Sequence, residues 1–224
     1  MYKRQALTFA AENGQVELTA LLLERGANLE TRTRSGLNAL LLAAQYDQSE
    51  MVDQLLFKGA DPNATDRGGR TGLMIAAYRG HIGPTELLVF NGASVRRLDA
   101  KGKTALIHAA DSGKSPNIAR LLITQGAQIN RRSPDGASAL IWASGGGHAD
   151  MVTELLSHGA EINAQDNSGL TALMEAVNAG SSETVKALLK HGADTAIKND
   201  EGMTALAIAI KQDNEKLQAL LTDR

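Results

Sequence analysis

The chain of 224 residues contains no cysteine, which excludes a disulfide framework, thiolate metal sites and a cysteine nucleophile. That absence suits a cytosolic protein and an exported one alike. Aromatic residues make up only 3% of the chain, with a single tryptophan, which argues against extensive stacking on bases or sugars. No apolar run approaches the roughly 18 residues needed to span a bilayer, so no membrane association is expected. The first residues, "MYKRQALTFAAENG", lack an apolar stretch of about 7–15 residues with a cleavage site. No signal peptide is visible, and localisation stays open between the cytoplasm and, after removal of a leader, an exported or periplasmic location. A formal charge of −2 is too slight to imply a nucleic-acid partner. What is present is ordinary for a globular chain: 43% hydrophobic and 21% charged residues, over a length that supports a well-buried core.

The informative feature is repetition. Gly-Ala recurs at Gly26, Gly59, Gly92, Gly126, Gly159 and Gly192, with spacings of 33, 33, 34, 33 and 33. In a second register, Gly36, Gly69, Gly102, Gly136, Gly169 and Gly202 each stand four residues before a leucine. Two residues before that leucine lies Asn38, Thr71, Thr104, Ser138, Thr171 or Thr204, each able to cap a helix N-terminus. A short helix therefore starts there and runs through small residues such as Ala43-Ala44 and Ala76-Ala77, which admit a close neighbour. It breaks near Gly80, Gly113, Gly147 or Gly180. A second helix follows; in "IARLLITQGA" the spacing puts Ile118, Leu121 and Leu122 on one face, and the next glycine ends it. The single 34-residue spacing puts one extra residue in "GKSPN", where Pro116 suits a helix start.

This pattern resembles the ankyrin repeat, and "DRGGRTGLMIAAYRGH" and "DAKGKTALIHAADSGK" match the first half of that motif closely. The family's proline before the leucine is Ala or Gly throughout, and its histidine after the leucine is absent, as at Met74 and Ile107. The resemblance implies an all-α repeat solenoid of about seven stacked helix-turn-helix units of about 33 residues, joined by extended β-turn or hairpin loops. It covers the whole chain as one domain, 1–224, with units at about 1–32, 33–65, 66–98, 99–132, 133–165, 166–198 and 199–224.

Candidate chemistry is sparse. "GKT" at Gly102 and "GKS" at Gly113 lack the earlier glycine of a phosphate loop, which is Arg97 in one and His108 in the other. In the run Gly145-Gly146-Gly147 only the last is the repeat's turn glycine; the other two read as small residues hollowing one face. His81 and His148 share one repeat position and His158 and His191 another, which points to structural roles, and no metal-ligand spacing appears. No catalytic residue, metal or cofactor is expected. One row is unusual: two residues beyond the helix-start leucine come Phe9, Leu42, Ile75, His108, Trp142, Glu175 and Ile208. His108, Trp142 and Glu175 are either partnered polar groups between repeats or, with Gly145 and Gly146, a small ligand pocket.

By the resemblance, turn tips and the exposed ends of first helices form a concave surface that grips proteins. Those positions are Arg34, Leu37, Gln45 and Tyr46 in unit two, Arg67, Arg70, Tyr78 and Arg79 in unit three, and Lys101, Lys103 and Asp111 in unit four. Charge is uneven along the sequence: residues 1–133 hold 17 Lys and Arg against 12 Asp and Glu, net +5, whereas residues 134–224 hold 6 against 13, net −7. The expected function is a non-enzymatic, monomeric interaction module whose protein partner carries an acidic patch. The alternative is a small-molecule or anion binder using the pocket around His108, Trp142 and Glu175.

Overall fold

The computed structural model describes residues 2–222. Among them are fourteen α-helices and no strand, in seven pairs: α1 (Tyr2–Glu12) with α2 (Val16–Glu24), α3 (Ala39–Gln45) with α4 (Ser49–Phe57), α5 (Gly72–Arg79) with α6 (Ile82–Phe90), α7 (Ala105–Ser112) with α8 (Pro116–Thr124), α9 (Ala139–Gly145) with α10 (Ala149–Ser157), α11 (Ala172–Asn178) with α12 (Ser182–Lys190), and α13 (Ala205–Lys211) with α14 (Glu215–Thr222). First helices of seven or eight residues are too short to persist alone, so their ends are tied down by side chains. Asn38, Thr71, Ser138, Thr171 and Thr204 each accept the amide three residues on, at 3.0 to 3.4 Å. In repeat three the missing histidine has a substitute: the Thr71 amide donates to Met74 Sδ at 3.5 Å.

The turn between paired helices needs a left-handed residue. Glycine supplies it at Gly14, Gly80, Gly113, Gly147 and Gly180. In repeats two and seven the same place is taken by Asp47, at φ 58°, and Asp213, at φ 54°.

Repeats are joined by hairpin-like turns whose ordering is local. Oδ1 of Asp66 accepts the amides of Gly68 and Arg70, and Asp166 does the same for Ser168 and Leu170. The bridges Thr65–Thr71, Arg132–Ser138 and Gln165–Thr171 close these turns without extending into a sheet. Tips bond to a neighbouring tip at three places: the Asn167 amide donates to the Asp135 carbonyl at 3.0 Å, the Ala100 amide to Gly68 at 2.9 Å and the Asp200 amide to Ser168 at 3.2 Å.

Packing gathers the chain into two compact units, Met1–Ala105 and Leu106–Arg224. In the first, α3 packs against α1 and α5, while α4 packs against α2 and α6. Leu40, Ala43, Ala44, Leu73 and Ala76 fill the space between first helices, and Met51, Leu55 and Leu88 come from the second. In the second unit α11 lies between α9 and α13, and α10 between α8 and α12. There Ile118 and Leu122 of α8 are fully buried as their spacing implies, Ala119 joins them, and Leu121 is only half-buried. Pro116 opens α8, as expected for the repeat with the extra residue. On the outer surface Arg120 grips Glu154 through two 2.8 Å bonds, and this guanidinium holds the Glu154 carboxyl below the usual carboxylate range.

Candidate functional site

The three-glycine run is explained by what lies against it. A Cβ on Gly146 would fall 2.4 Å from His148 Nε2, and one on Gly113 2.0 Å from the same ring. The imidazole thus occupies space that both glycines leave, and its Nε2 donates to the Asp111 carbonyl at 3.2 Å. At the equivalent position His81 donates from Nδ1 to the Ala44 carbonyl at 3.1 Å. His158 and His191 bond the carbonyl four residues back, Glu154 and Ala187, at 2.9 and 2.8 Å. Because a carbonyl only accepts, each ring nitrogen carries its proton, and the four histidines serve as ties within and between repeats.

Gly145 leaves room for a different neighbour: a Cβ there would sit 3.2 Å from Glu175 Oε2. Around these glycines opens a cleft of about 350 Å³, lined by Asp111, Asp135, Ala137, Ile141, Trp142, Gly145, Gly146, Asp166 and Glu175. Four of the five residues singled out as a pocket in the sequence, Trp142, Gly145, Gly146 and Glu175, come together here. His108 does not line the cleft; it is buried, and Asp111, one turn further along α7, takes its place at the wall. Asp166 is the residue the sequence reading passed over, because its place at the start of a repeat marks it as a turn-former, which it also is.

The electrostatics of the cleft have one sign. Four carboxylates line it and no Lys, Arg or His does. Burial pushes the Glu175 carboxyl above its ordinary range; a hydrogen bond from Asn178 opposes this and the Asp166 charge adds to it. Trp142 Nε1 is engaged by the Ser133 hydroxyl at 3.2 Å. Among the described residues no three His, Asp or Glu side chains are grouped to hold a metal ion. No described helix is long and apolar enough to cross a membrane.

The positions named for partner binding divide differently. Arg34, Arg67, Arg79 and Lys101 are exposed and make no ion pair with another described residue. Tyr46 and Tyr78 are each 45% exposed. Arg70 is exposed too, but its guanidinium is held by Asp66 at 2.7 Å, a bond internal to one turn. Gln45 and Lys103 are half-buried, and Leu37 is only 8% exposed, so Leu37 belongs to the packing rather than to the surface. Asp111 lies in the second compact unit, at the cleft.

Comparison with known proteins bears on this architecture. The pattern described as ankyrin repeats (3 copies) matches residues 2–66, 40–133, 73–166 and 140–224. No curated protein gives a significant sequence match. The fold is similar to the crystal structure of the human ASB11 ankyrin repeat domain, with a TM-score of 0.87 and 23% identity over 96% of this chain and 95% of that one. It is also similar to the ankyrin repeat domain of Bcl-3, described as a unique member of the IkappaB protein family, with a TM-score of 0.80 and 28% identity over 96% and 97%. The first likeness, at 23% identity, concerns fold alone. With the repeat turns, caps and helix pairs found in all parts of the sequence pattern that matches, the chain belongs to the ankyrin-repeat family.

Proposed function

We propose that this chain is a non-enzymatic docking module, one domain acting as a monomer, that holds a partner protein on the surface formed by its turn tips and first helices. The observation that carries the reading is the set of exposed cations Arg34, Arg67, Arg79 and Lys101, uncompensated by any described acid and accompanied by the half-exposed Tyr46 and Tyr78. Arginine and tyrosine combine large contact area with directed hydrogen bonds, which suits them to the centre of an interface. A partner presenting an acidic patch complements them. The preformed repeat framework supports this use, because a rigid surface loses little conformational freedom on binding.

The second reading, a small-molecule or anion binder around His108, Trp142 and Glu175, is not favoured. An anion entering the cleft meets four carboxylates, and His108 is not there to receive it.

The test is cross-linked co-purification from the producing cells, comparing the wild type with an Arg67→Glu/Arg79→Glu variant. Recovery of the partner is expected to fall about ten-fold or more, because reversed charges juxtapose like with like. The helical signal and melting temperature stay the same. Equal recovery by a folded variant refutes this placement of the interface.

A further inference from the structure

We infer that the cleft at Trp142, within residues 106–224, seats a cationic side chain, arginine or lysine, projecting from an extended segment of a partner protein. The inference rests on the reading of the chain as a docking module, but not on where the exposed arginines of residues 1–105 bind. It names a second contact of different chemistry.

Three independent features converge. The first is shape. The hollow is open at Gly145, which has no side chain and faces Glu175 Oε2 across it, while the space a Gly146 side chain would take is filled by the His148 ring. At about 350 Å³ the space is at the low end of the roughly 300–1,000 Å³ typical of ligand sites, which fits one long side chain better than a cofactor.

The second is the aromatic wall. Trp142 is the chain's single tryptophan, and it stands in a row where Leu42, Ile75 and Ile208 are aliphatic. Its indole N–H is already occupied by Ser133, so what it offers a ligand is ring surface, which attracts a cation by its quadrupole.

The third is charge. Asp135, Asp166 and Glu175 have no cationic partner among the described residues, and the stretch 134–224 carries a net −7. Asp166 and Asp135 each use Oδ1 within their own turns, which leaves the two Oδ2 atoms, and Glu175 adds a carboxylate whose neutral partner is Asn178. Burial raises the free energy of an ionised Glu175, and an entering cation relieves it. The carboxylates line the cleft without being grouped as metal ligands, so the ion they suit is large and organic. Asp135 and Gly145 are both exposed at its edge, on a turn tip and at the end of α9, where a passing chain can reach in.

The probe is a capped pentapeptide, Gly-Ala-Arg-Ala-Gly, titrated calorimetrically at low salt into the full chain with Trp142 emission recorded in parallel. Its control carries citrulline, the neutral isostere of arginine. Saturable binding is expected, about ten-fold or more weaker for the citrulline peptide. Gly145→Leu, which fills the hollow from a helical position, is expected to abolish it. Glu175→Gln is expected to weaken it several-fold while leaving the fold intact, so the test survives if the leucine variant fails to fold.

Equal binding of the two peptides, no binding of either, or full binding by both folded variants overturns the inference. Methylguanidinium binding as tightly as the peptide makes a free small cation the occupant and also overturns it, as does displacement of the peptide by equimolar calcium or magnesium. Arg67→Glu/Arg79→Glu leaves this titration unchanged. A silent titration beside intact Arg67-dependent partner recovery therefore sinks this contact alone.

Discussion

The Trp142 indole donates to the hydroxyl of Ser133, nine residues earlier, at 3.2 Å, and so ties a first helix to the turn that precedes it. The same oxygen is in reach of the Asp135 carboxylate and of the Ala137 carbonyl, so its one proton goes to one of those while a lone pair takes the indole. Ser133 stands where Asp66, Asp99 and Asp166 stand in other repeats, and it is the residue there whose hydroxyl bonds the indole. Ser133→Ala leaves the indole N–H without this acceptor. It is expected to cost about 1 kcal/mol of stability in a urea titration and to shift the emission of this lone tryptophan to the red. An unmoved midpoint with unmoved emission contradicts the assignment.

Two glycines separate conformational cost from steric cost. Gly159, at φ 87°, has nothing within 4 Å of a Cβ, whereas Gly136, at φ 81°, would place one 2.7 Å from the backbone nitrogen of Asn167. Gly159→Ala should cost about 1–2 kcal/mol, the penalty of a left-handed alanine. Gly136→Ala should cost distinctly more, because the next turn tip must move and its 3.0 Å bond to Asp135 loosens. Matched denaturation curves decide it, and equal midpoints argue against stacked tips.

Asp47 and Asp213 occupy left-handed turns that glycine fills in the other repeats. Aspartate tolerates this conformation better than most residues but still pays for its Cβ. Asp47→Gly and Asp213→Gly are each expected to gain from a few tenths to about 1 kcal/mol, the relief being partly offset by the greater freedom of glycine in the unfolded chain. Thermal melts of the single variants and of the pair check this. A fall in melting temperature means that these side chains make a stabilising contact.

Glu175 makes stability depend on pH in a stated direction. Its carboxyl is raised above the ordinary range by burial, and further by Asp166, against the bond from Asn178. The folded chain therefore holds this proton more tightly than the unfolded chain does. The contribution is fully present below the unfolded value of about 4.3 and is lost as pH rises through the higher folded value. Glu175→Gln should match the wild type near pH 4 and melt at a higher temperature than the wild type at pH 7. A gap that closes as pH rises reverses the sign and contradicts a buried acid.

The fold could be read from the sequence because each repeat is built from local chemistry. Capping residues at Asn38, Thr71, Ser138, Thr171 and Thr204 announce helix starts, and the turn glycines announce their ends. The reading was weaker where a residue's role depends on another one repeat away. Gly113 looks like a plain turn glycine until the His148 ring is seen to lie against it, and Gly145 looks like an unexplained gap until Glu175 is seen to face it. Leu37 sits at a position assigned to the surface but is covered, and Arg70 is drawn off by Asp66 within its own turn. Asp47 and Asp213 carry no glycine signal, so their left-handed geometry is visible only in the backbone.

Period, capping pattern and apolar spacing were enough to specify seven helix pairs and the family they belong to, because short-range hydrogen bonds and amphipathic faces are encoded within some thirty consecutive residues. They also marked His108, Trp142 and Glu175 as members of a row out of keeping with the rest, beside the two extra glycines Gly145 and Gly146. Tertiary structure alone decided that Trp142, Gly145, Gly146 and Glu175 share a cleft with Asp111, Asp135 and Asp166, and that His108 does not. The reason is geometric: neighbours about 33 positions apart meet side by side, and which of two adjacent side chains on a first helix reaches the wall depends on how that helix is turned against its neighbours, which no linear spacing records.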